Sequence, residues 1–500
     1  MFVHSVLLLG LTIGTSPNLC AEAEVFAATP AMHLRPTYLP ISRVIENMQA
    51  GLAERPGDRR LYMNIARAHS YAFQVADEGK PVNWRAVVRM TPKAYEDSGE
   101  GSRGHDAPKD EGDREVTYLT MSERLHHLSA SIAAFNEAIE MDPFEPSAYL
   151  GIADLLASCN SEMADAAVLP YPAYRDWGES NTDLAWYLER FTSEDEKTYQ
   201  DLIRWLLPRD DRPYSSPPQQ CRPIAIDALL LAKEEATGER RVQLRQLILD
   251  YCKYQTAEYF FRAFDLAIGQ DAYRDSQPGL SNYTRLVSGE AGIRYLEAIE
   301  EYGPRPFDQA RIKIVEASLE AMKELPHREW VTPIVFSLNA PTPLETLLAS
   351  ETVVSFDLDG TGREQSWPWV SPETSILVWD PEETGEVTSG RQLFGSVTWW
   401  LFFDDGYRAM DALDDNRDGE LSGDELAGLA VWTDANSNGV SDEGEVVPIG
   451  ETGIEAIACV QTDTSMGMPA NMSGLRMSDG RVLPTYDWVA KEVEAAGSTR

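Results

Sequence analysis

Between about residues 40 and 325 the apolar side chains recur three and four positions apart, over stretches that lack strand alternation, so the spacing predicts helices. Residues 239–268 form the longest such segment. Its stripe holds Leu244, Leu247, Ile248, Tyr251, Tyr254, Tyr259, Phe260, Phe264 and Leu266, and aromatics at helical spacing belong to a core rather than to a ligand box. Near Pro333 the texture changes. Pro341 and Pro343 mark a linker, after which short apolar runs bounded by turn residues predict strands at 353–356, 376–379, 397–403 and 454–460. Seven of the twelve Trp follow residue 350, a density that fits a small packed core. Residues 479–489 read as a hairpin anchored by Trp488. The expected class is α+β multidomain: a helical region at 24–330, a linker at 331–350, and a small β-rich module at 351–500.

Composition adds a sign to this picture. The chain of 500 residues carries a formal net charge of −38, which argues against nucleic acid and against anionic membrane surfaces as partners. The acid is concentrated, since residues 351–500 hold 29 Asp and Glu against 8 Lys and Arg. Metal loops explain that bias better than general solubility does. A short apolar run at 6–14, then Pro17 and Ala21-Glu22-Ala23, resembles a secretory signal over residues 1–23, and no later run approaches the roughly 18 residues of a membrane span. The protein is therefore expected to be exported, to the periplasm, cell surface or medium. Four cysteines would remain, Cys159, Cys221, Cys252 and Cys459, whose spacings match no metal or redox motif; paired and free thiols are both open.

The helical half carries an internal echo. Pro56 is followed at +6, +9 and +10 by Tyr62, Ile65 and Ala66, and Pro143 at the same offsets by Tyr149, Ile152 and Ala153, with Phe135 and Ala138 preceding it. These offsets resemble the tetratricopeptide repeat, in which a proline separates one helix pair from the next, and the resemblance implies a protein-interaction scaffold. The two prolines lie two periods of about 34 residues apart plus a remainder. The remainder matches residues 97–115, a polar run that reads as a solvated insertion.

The most specific chemistry lies in two successive twelve-residue stretches. DDNRDGELSGDE places Asp414, Asn416 and Asp418 at positions 1, 3 and 5, Gly419 at 6, Glu420 at 7, Ser422 at 9 and Glu425 at 12; DANSNGVSDEGE repeats this with Asp434, Asn436, Asn438, Gly439, Val440, Asp442 and Glu445. That is the EF-hand calcium pattern. Ca²⁺ takes six to eight oxygens at roughly 2.3 to 2.6 Å, so alternate short side chains, the position-7 carbonyl and a bidentate Glu at 12 must converge, and Gly at 6 permits the reversal. Leu421 at position 8 is apolar, as in a loop that packs on a partner, whereas Ser441 is polar there. Residues 423–432 lie between the loops and are expected to serve as exit helix of one and entry helix of the other.

FDLDGTG at 356–362, WPWVSP, LVWDPEETGEVTSGRQLFG, TWWLFF, the two loops and GIEAIA together resemble the calcium-binding module of large exported bacterial proteins, including adhesin and haemolysin-like ones. The resemblance implies two further loop starts, at Asp357, Asp359 and Thr361 and at Asp380. The first lacks a carboxylate at position 12, where Pro368 stands; the second has Thr384 at position 5 and Gln392 where the family has Glu.

No HExxH, GxSxG, Walker A or GxGxxG motif occurs, and the adjacent His126 and His127 point about 100° apart on a helix. The sequence reading is thus an exported, non-catalytic protein that binds calcium ions and engages a protein partner through its helical region. A calcium-stabilised cell-surface or adhesion component, and a hydrolase with structural calcium, stand as alternatives.

Overall fold

The computed structural model describes residues 37–75, 81–82, 121–157, 181–206, 229, 232–233, 235–273, 282–303, 308–323, 330–361, 364–491 and 493. The expected leader, the polar insertion at 97–115, and Cys159 and Cys221 lie outside them.

The described residues comprise a helical region followed by an antiparallel β-sheet domain, an α+β arrangement. The helices are α1 (Ile41–Glu54), α2 (Arg59–Val75), α3 (Met121–Met141), α4 (Pro146–Ala157), α5 (Asn181–Thr192), α6 (Glu196–Leu206), α7 (Gly238–Tyr273), α8 (Asn282–Tyr302) and α9 (Asp308–Lys323), with a short strand pair β1 (Thr37–Tyr38) and β2 (Pro81–Val82). None is long and apolar enough to cross a membrane. Pro56 and Pro143 sit in equivalent turns. Asp58 Oδ1 accepts from the Leu61 N–H to start α2, and Glu145 Oε1 accepts from the Ser147 N–H to start α4. Arg59 bridges the two turns by pairing with Asp142 and Glu145. Gly151 on α4 lies where a Cβ would enter the Phe135 ring of α3, so these helices approach closely only because the side chain is absent. The aromatic stripe of α7 is buried as its spacing predicts. Across α2 and α3, His69 and His127 meet Nδ1 to Nδ1 at 2.8 Å, and burial, then the charges of His127 and His126, pushes His69 down to about 4.

The β domain holds β3 (Trp330–Val331), β4 (Ile334–Phe336), α10 (Leu344–Leu347), β5 (Leu348–Phe356), β6 (Gln365–Val370), β7 (Ser375–Trp379), α11 (Gly406–Asp411), β8 (Glu420–Ser422), β9 (Leu429–Trp432), β10 (Val446–Pro448), β11 (Ile454–Ala458), β12 (Asp463–Ser465), β13 (Met468–Met477), β14 (Val482–Asp487) and β15 (Ala490–Lys491). Nine strands form one sheet in the order β10-β9-β7-β4-β14-β13-β11-β8, with β12 on β13; β5 pairs β6, and β15 pairs β3. The stretch expected as a linker differs from that expectation. Within it β4 is an interior strand, flanked by β14 and β7, because Ile334, Val335 and Phe336 are all apolar and both faces of the sheet are covered.

Alternation along the strands divides two cores. Ile334, Phe336, Leu377, Trp379, Leu429 and Val431 face a cluster continuous with the helical core. Val335, Ile376, Val378, Ala430 and Trp432 face a second cluster with Phe356, Trp367 and Trp369 of the β5–β6 hairpin. The sheet is therefore a wall between them.

Two further expectations change. Residues 397–403 form no strand: Trp399, Trp400 and Phe402 all lie at positive φ, which twists successive side chains out of alternation. The carbonyls left without a ladder are served from α2, where Tyr71 Oη donates to Trp400 O at 2.8 Å, Arg67 to Leu401 O at 3.2 Å and Arg60 to Phe402 O at 3.4 Å. Positions 60, 67 and 71 share one helix face. Likewise 423–432 is not a helix. A single 3₁₀ turn at Gly423–Leu426 is followed by Gly428 at φ 85° and then by β9, whose four residues are all buried.

Candidate metal centre

Both loops between α11 and β10 have one hydrogen-bond frame. The position-6 N–H donates to the position-1 carboxylate, Gly419 to Asp414 Oδ2 at 2.9 Å and Gly439 to Asp434 Oδ2 at 2.8 Å. The position-5 N–H donates to the amide oxygen at 3, at 2.8 and 3.0 Å, and the position-7 N–H to the side-chain oxygen at 5, at 3.0 and 2.7 Å. Glu at 12 folds back in each. Glu425 accepts from the N–H groups of Asp415 and Ser422 at 2.9 and 3.0 Å, and Glu445 from those of Ala435 and Asp442 at 2.9 and 3.1 Å. Gly419 and Gly439 lie at φ 86° and 75°, and position 4 is also left-handed in both, at Arg417 and Ser437. Gly adopts such φ values at no steric cost, so the sequence pattern and the backbone agree at position 6.

The partners of the loops differ. Leu421 enters the sheet on β8, opposite Ile457 of β11, and the Gly419 carbonyl accepts from the Cys459 N–H at 2.8 Å. Cys459 is a free thiol. Burial pushes it up, and the carboxylates of Asp414 and Asp411 add to that. Ser441 instead meets Val387: its Oγ accepts from the Val387 N–H at 2.8 Å. Val387 is position 8 of the Asp380 loop, so the second loop pairs there and not with the first. Trp369 was not legible as a functional residue, yet its Nε1 donates to Asp434 Oδ2 at 2.6 Å and fixes that buried carboxylate from 65 positions away.

The Asp380 loop keeps much of the frame. Gly385 N–H donates to Asp380 Oδ2 at 2.8 Å and Glu386 N–H to Thr384 Oγ1 at 3.2 Å, and Glu383 at position 4 is left-handed. Gln392 stands in for the carboxylate. Its Oε1 accepts from the Thr388 N–H at 2.9 Å, and its Nε2 donates to the Glu386 carbonyl at 2.9 Å, so the position-7 oxygen is bound to an amide of the chain itself. In the Asp357 loop Asp359 accepts from the N–H and hydroxyl of Thr361 and from Gln365 Nε2, and Ser389 Oγ donates to Asp357 Oδ2 at 2.6 Å. The buried Arg391 supplies the positive charge there. Its Nε donates to Gly360 O at 2.5 Å, its guanidinium lies 4.0 Å from the Trp400 ring, and burial, opposed by Asp357 and Asp359, lowers it to about 10.

Residues 334–487 match the SPM domain family model. The matched region begins at β4 and ends with β14, and so takes in all four loops and the sheet that carries them. The chain is also 30% identical over 118 residues to the iron-regulated protein FrpA of Neisseria meningitidis serogroup C, a stretch that is 23% of this chain and 11% of that relative. The chain thus spans about a ninth of the length of that relative.

Whether the residues fit a cation is decided within the first two loops. Among the described residues no three or more His, Cys, Asp or Glu side chains converge as a ligand group. The expected set is instead a mixed one of carboxylate, amide, hydroxyl and carbonyl oxygens, the donors a hard cation takes. In the first loop Asp414 is buried, and no hydrogen bond reaches its Oδ1. Burial holds that carboxyl above its ordinary range, against the pull of the Gly419 and Arg417 amides, and Glu425 adds to the rise. In the second loop Asp442 Oδ2 accepts from the side-chain amides of Asn436 and Asn438 at 2.7 and 3.0 Å, so positions 3, 5 and 9 are joined to one another. The first loop fits a cation better; the second requires its two amides to turn.

Proposed function

We propose that this is an exported, non-catalytic protein that binds two calcium ions, one in the Asp414–Glu425 loop and one in the Asp434–Glu445 loop, and that its helical region is a scaffold for a protein partner. The observation that carries the reading is the orphaned Asp414 Oδ1, inside a frame whose bonds at positions 5, 6, 7 and 12 recur in both loops. A buried carboxylate oxygen without a donor is costly, by about 1–3 kcal/mol or more for a charged group, and a cation relieves it. Asp414, Asn416, Asp418, the Glu420 carbonyl, Ser422 and Glu425 would hold the first ion; Asp434, Asn436, Asn438, the Val440 carbonyl, Asp442 and Glu445 the second. Bound Ca²⁺ supplies charge compensation and cross-links the loop. Arg391 and Gln392 fill that need in the other two loops, which therefore bind none.

Calorimetric titration of the full chain with Ca²⁺ in millimolar Mg²⁺ tests this. Two ions should bind, Glu425→Gln should remove the tighter and Glu445→Gln the weaker. Unchanged stoichiometry and affinity in both variants would overturn the assignment.

A further inference from the structure

The first loop has a second set of contacts that no ion requires. Helix α1 lies across its outer side. Arg43 Nη2 donates to the Leu413 carbonyl at 2.6 Å, and Arg43 Nε pairs with Asp415 at 2.8 Å. One turn on, Asn47 Nδ2 donates to the Ala412 carbonyl at 3.1 Å and to Asp415 Oδ1 at 2.8 Å, and Asn47 is buried. At the end of the helix Glu54 pairs with Arg417 at 3.0 Å, and just beyond it Arg55 pairs with Asp411 at 3.0 Å. The same Arg417 reaches Asp411 at 3.0 Å and is the left-handed position 4 of the loop.

These contacts hold the backbone on both sides of Asp414, from 412 to 417, which is the stretch whose shape sets positions 1 to 4. The Asp415 side chain is turned to α1 while its N–H is bound by Glu425 Oε1 at 2.9 Å. One peptide is thus fixed by the helical region through its side chain and by the closing ligand through its N–H. The neighbours of Asp434–Glu445 are instead Trp369, Val387 and Val354.

We infer that the first loop is a calcium-operated clasp between the helical region and the β domain: filling it fixes α1 in place, and α1 in turn raises the affinity of the loop. The inference rests on the calcium reading above. Coupling of this kind is reciprocal, so the factor by which Ca²⁺ favours docking of α1 equals the factor by which docked α1 favours Ca²⁺. The second loop is outside the circuit and serves as the internal control.

Two measurements on the full chain test it, with Ca²⁺ itself as the probe. In hydrogen exchange, amides of residues 41–54 should gain protection when Ca²⁺ replaces chelator; Glu425→Gln should abolish the gain and Glu445→Gln leave it. In titration, the double variant Arg43→Ala, Asn47→Ala should weaken the tighter site roughly fivefold or more and leave the weaker one alone. Asp415→Ala removes the two side-chain contacts from the loop side without touching a ligand atom, leaves the bonds to the Leu413 and Ala412 carbonyls, and should reproduce part of the loss; combined with the double variant it should add nothing. Equal affinity of the tighter site in wild type, in the double variant, in Asp415→Ala and in their combination, or α1 protection indifferent to Ca²⁺, would overturn the clasp while leaving the metal sites standing. A wild-type chain that binds no Ca²⁺ would overturn both.

Discussion

The loops at Asp357 and Asp380 and the loops at Asp414 and Asp434 have buried position-1 aspartates and a left-handed residue at position 4 in common, yet they meet the resulting charge differently. In the first pair the chain serves itself: the Arg391 guanidinium lies beside Asp357 and Asp359, Asp380 accepts from Thr384 and Gly385, and the Gln392 amide occupies the Glu386 carbonyl. In the second pair a glutamate closes the loop and leaves Asp414 with an oxygen that no donor reaches. A metal loop is thus separable into a backbone frame and a charge. The frame survives in three of the four loops regardless of what neutralises it, and the loops differ at residues 391, 392, 425 and 445.

The comparison breaks most visibly at Arg391. Arg391→Met keeps the volume and removes the charge, leaving two buried carboxylates uncompensated, and should destabilise the β domain by about 3–5 kcal/mol in chemical denaturation. A loss under 1 kcal/mol would mean that Arg391 does not stand in for an ion.

Acid separates the loops from the helical half. The unfolded chain protonates His69 near its ordinary value of about 6.5, while the folded chain does so only at about 4. Between those values the unfolded state holds more protons, so stability falls as pH drops through the window, by at most about 3 kcal/mol. Burial holds Glu297 up at about 7, which acts with opposite sign over this window, so the test is the change: the difference between urea midpoints at pH 7.5 and 4.5 in chelator should shift between wild type and His69→Gln by the His69 share. An unaltered pH slope in the variant would discard the assignment to His69.

The Asp414 and Asp434 loops are themselves divided by Trp369. Removing its N–H with Trp369→Phe withdraws a charge-assisted bond from Asp434, worth about 1.5–3 kcal/mol, and should weaken the second loop about tenfold or more in calorimetry with the first unaffected. Equal losses in both loops would point to general damage of the hairpin. The smallest effect is expected at Gln392. Gln392→Glu restores the closing carboxylate and should add a third site in the millimolar range typical of extracellular modules, about 10⁻⁴ to 10⁻³ M; a stoichiometry still at two in 10 mM-scale Ca²⁺ would show that Thr384 closes this loop as well.

What the sequence made legible follows from how far each cause lies along the chain. The two loop frames are local, because Gly at 6 and oxygens at 1, 3, 5 and 12 close on themselves within twelve residues, and α7 is legible for the same reason. The apolar run at 397–403 is ambiguous locally, since a buried strand and an irregular buried segment have the same composition. What decides it is a stripe of donors on α2. Helical expectation for 423–432 failed at Gly428, whose positive φ ends the short Gly423–Leu426 turn before Leu429. Trp369 and Asn47 act through contacts 65 and 368 positions distant, which no pattern of spacing encodes. Arg391 and Gln392 left one signal, a neutral amide where the resemblance implied a glutamate.

The donors of α2 also impose an order of events. Tyr71 and the Trp400 carbonyl it serves are 329 residues apart. At a synthesis rate of roughly 5–20 residues per second, one half of this contact exists for tens of seconds before the other emerges. The segment at 397–403 has three left-handed residues and no strand partner, so it has little reason to settle until a formed helix offers its hydroxyl and guanidinium groups. This segment of the β domain thus takes hydrogen-bond donors from outside that domain, and contacts of such long separation are slow to close. Refolding of the full chain should be paced by that late joining.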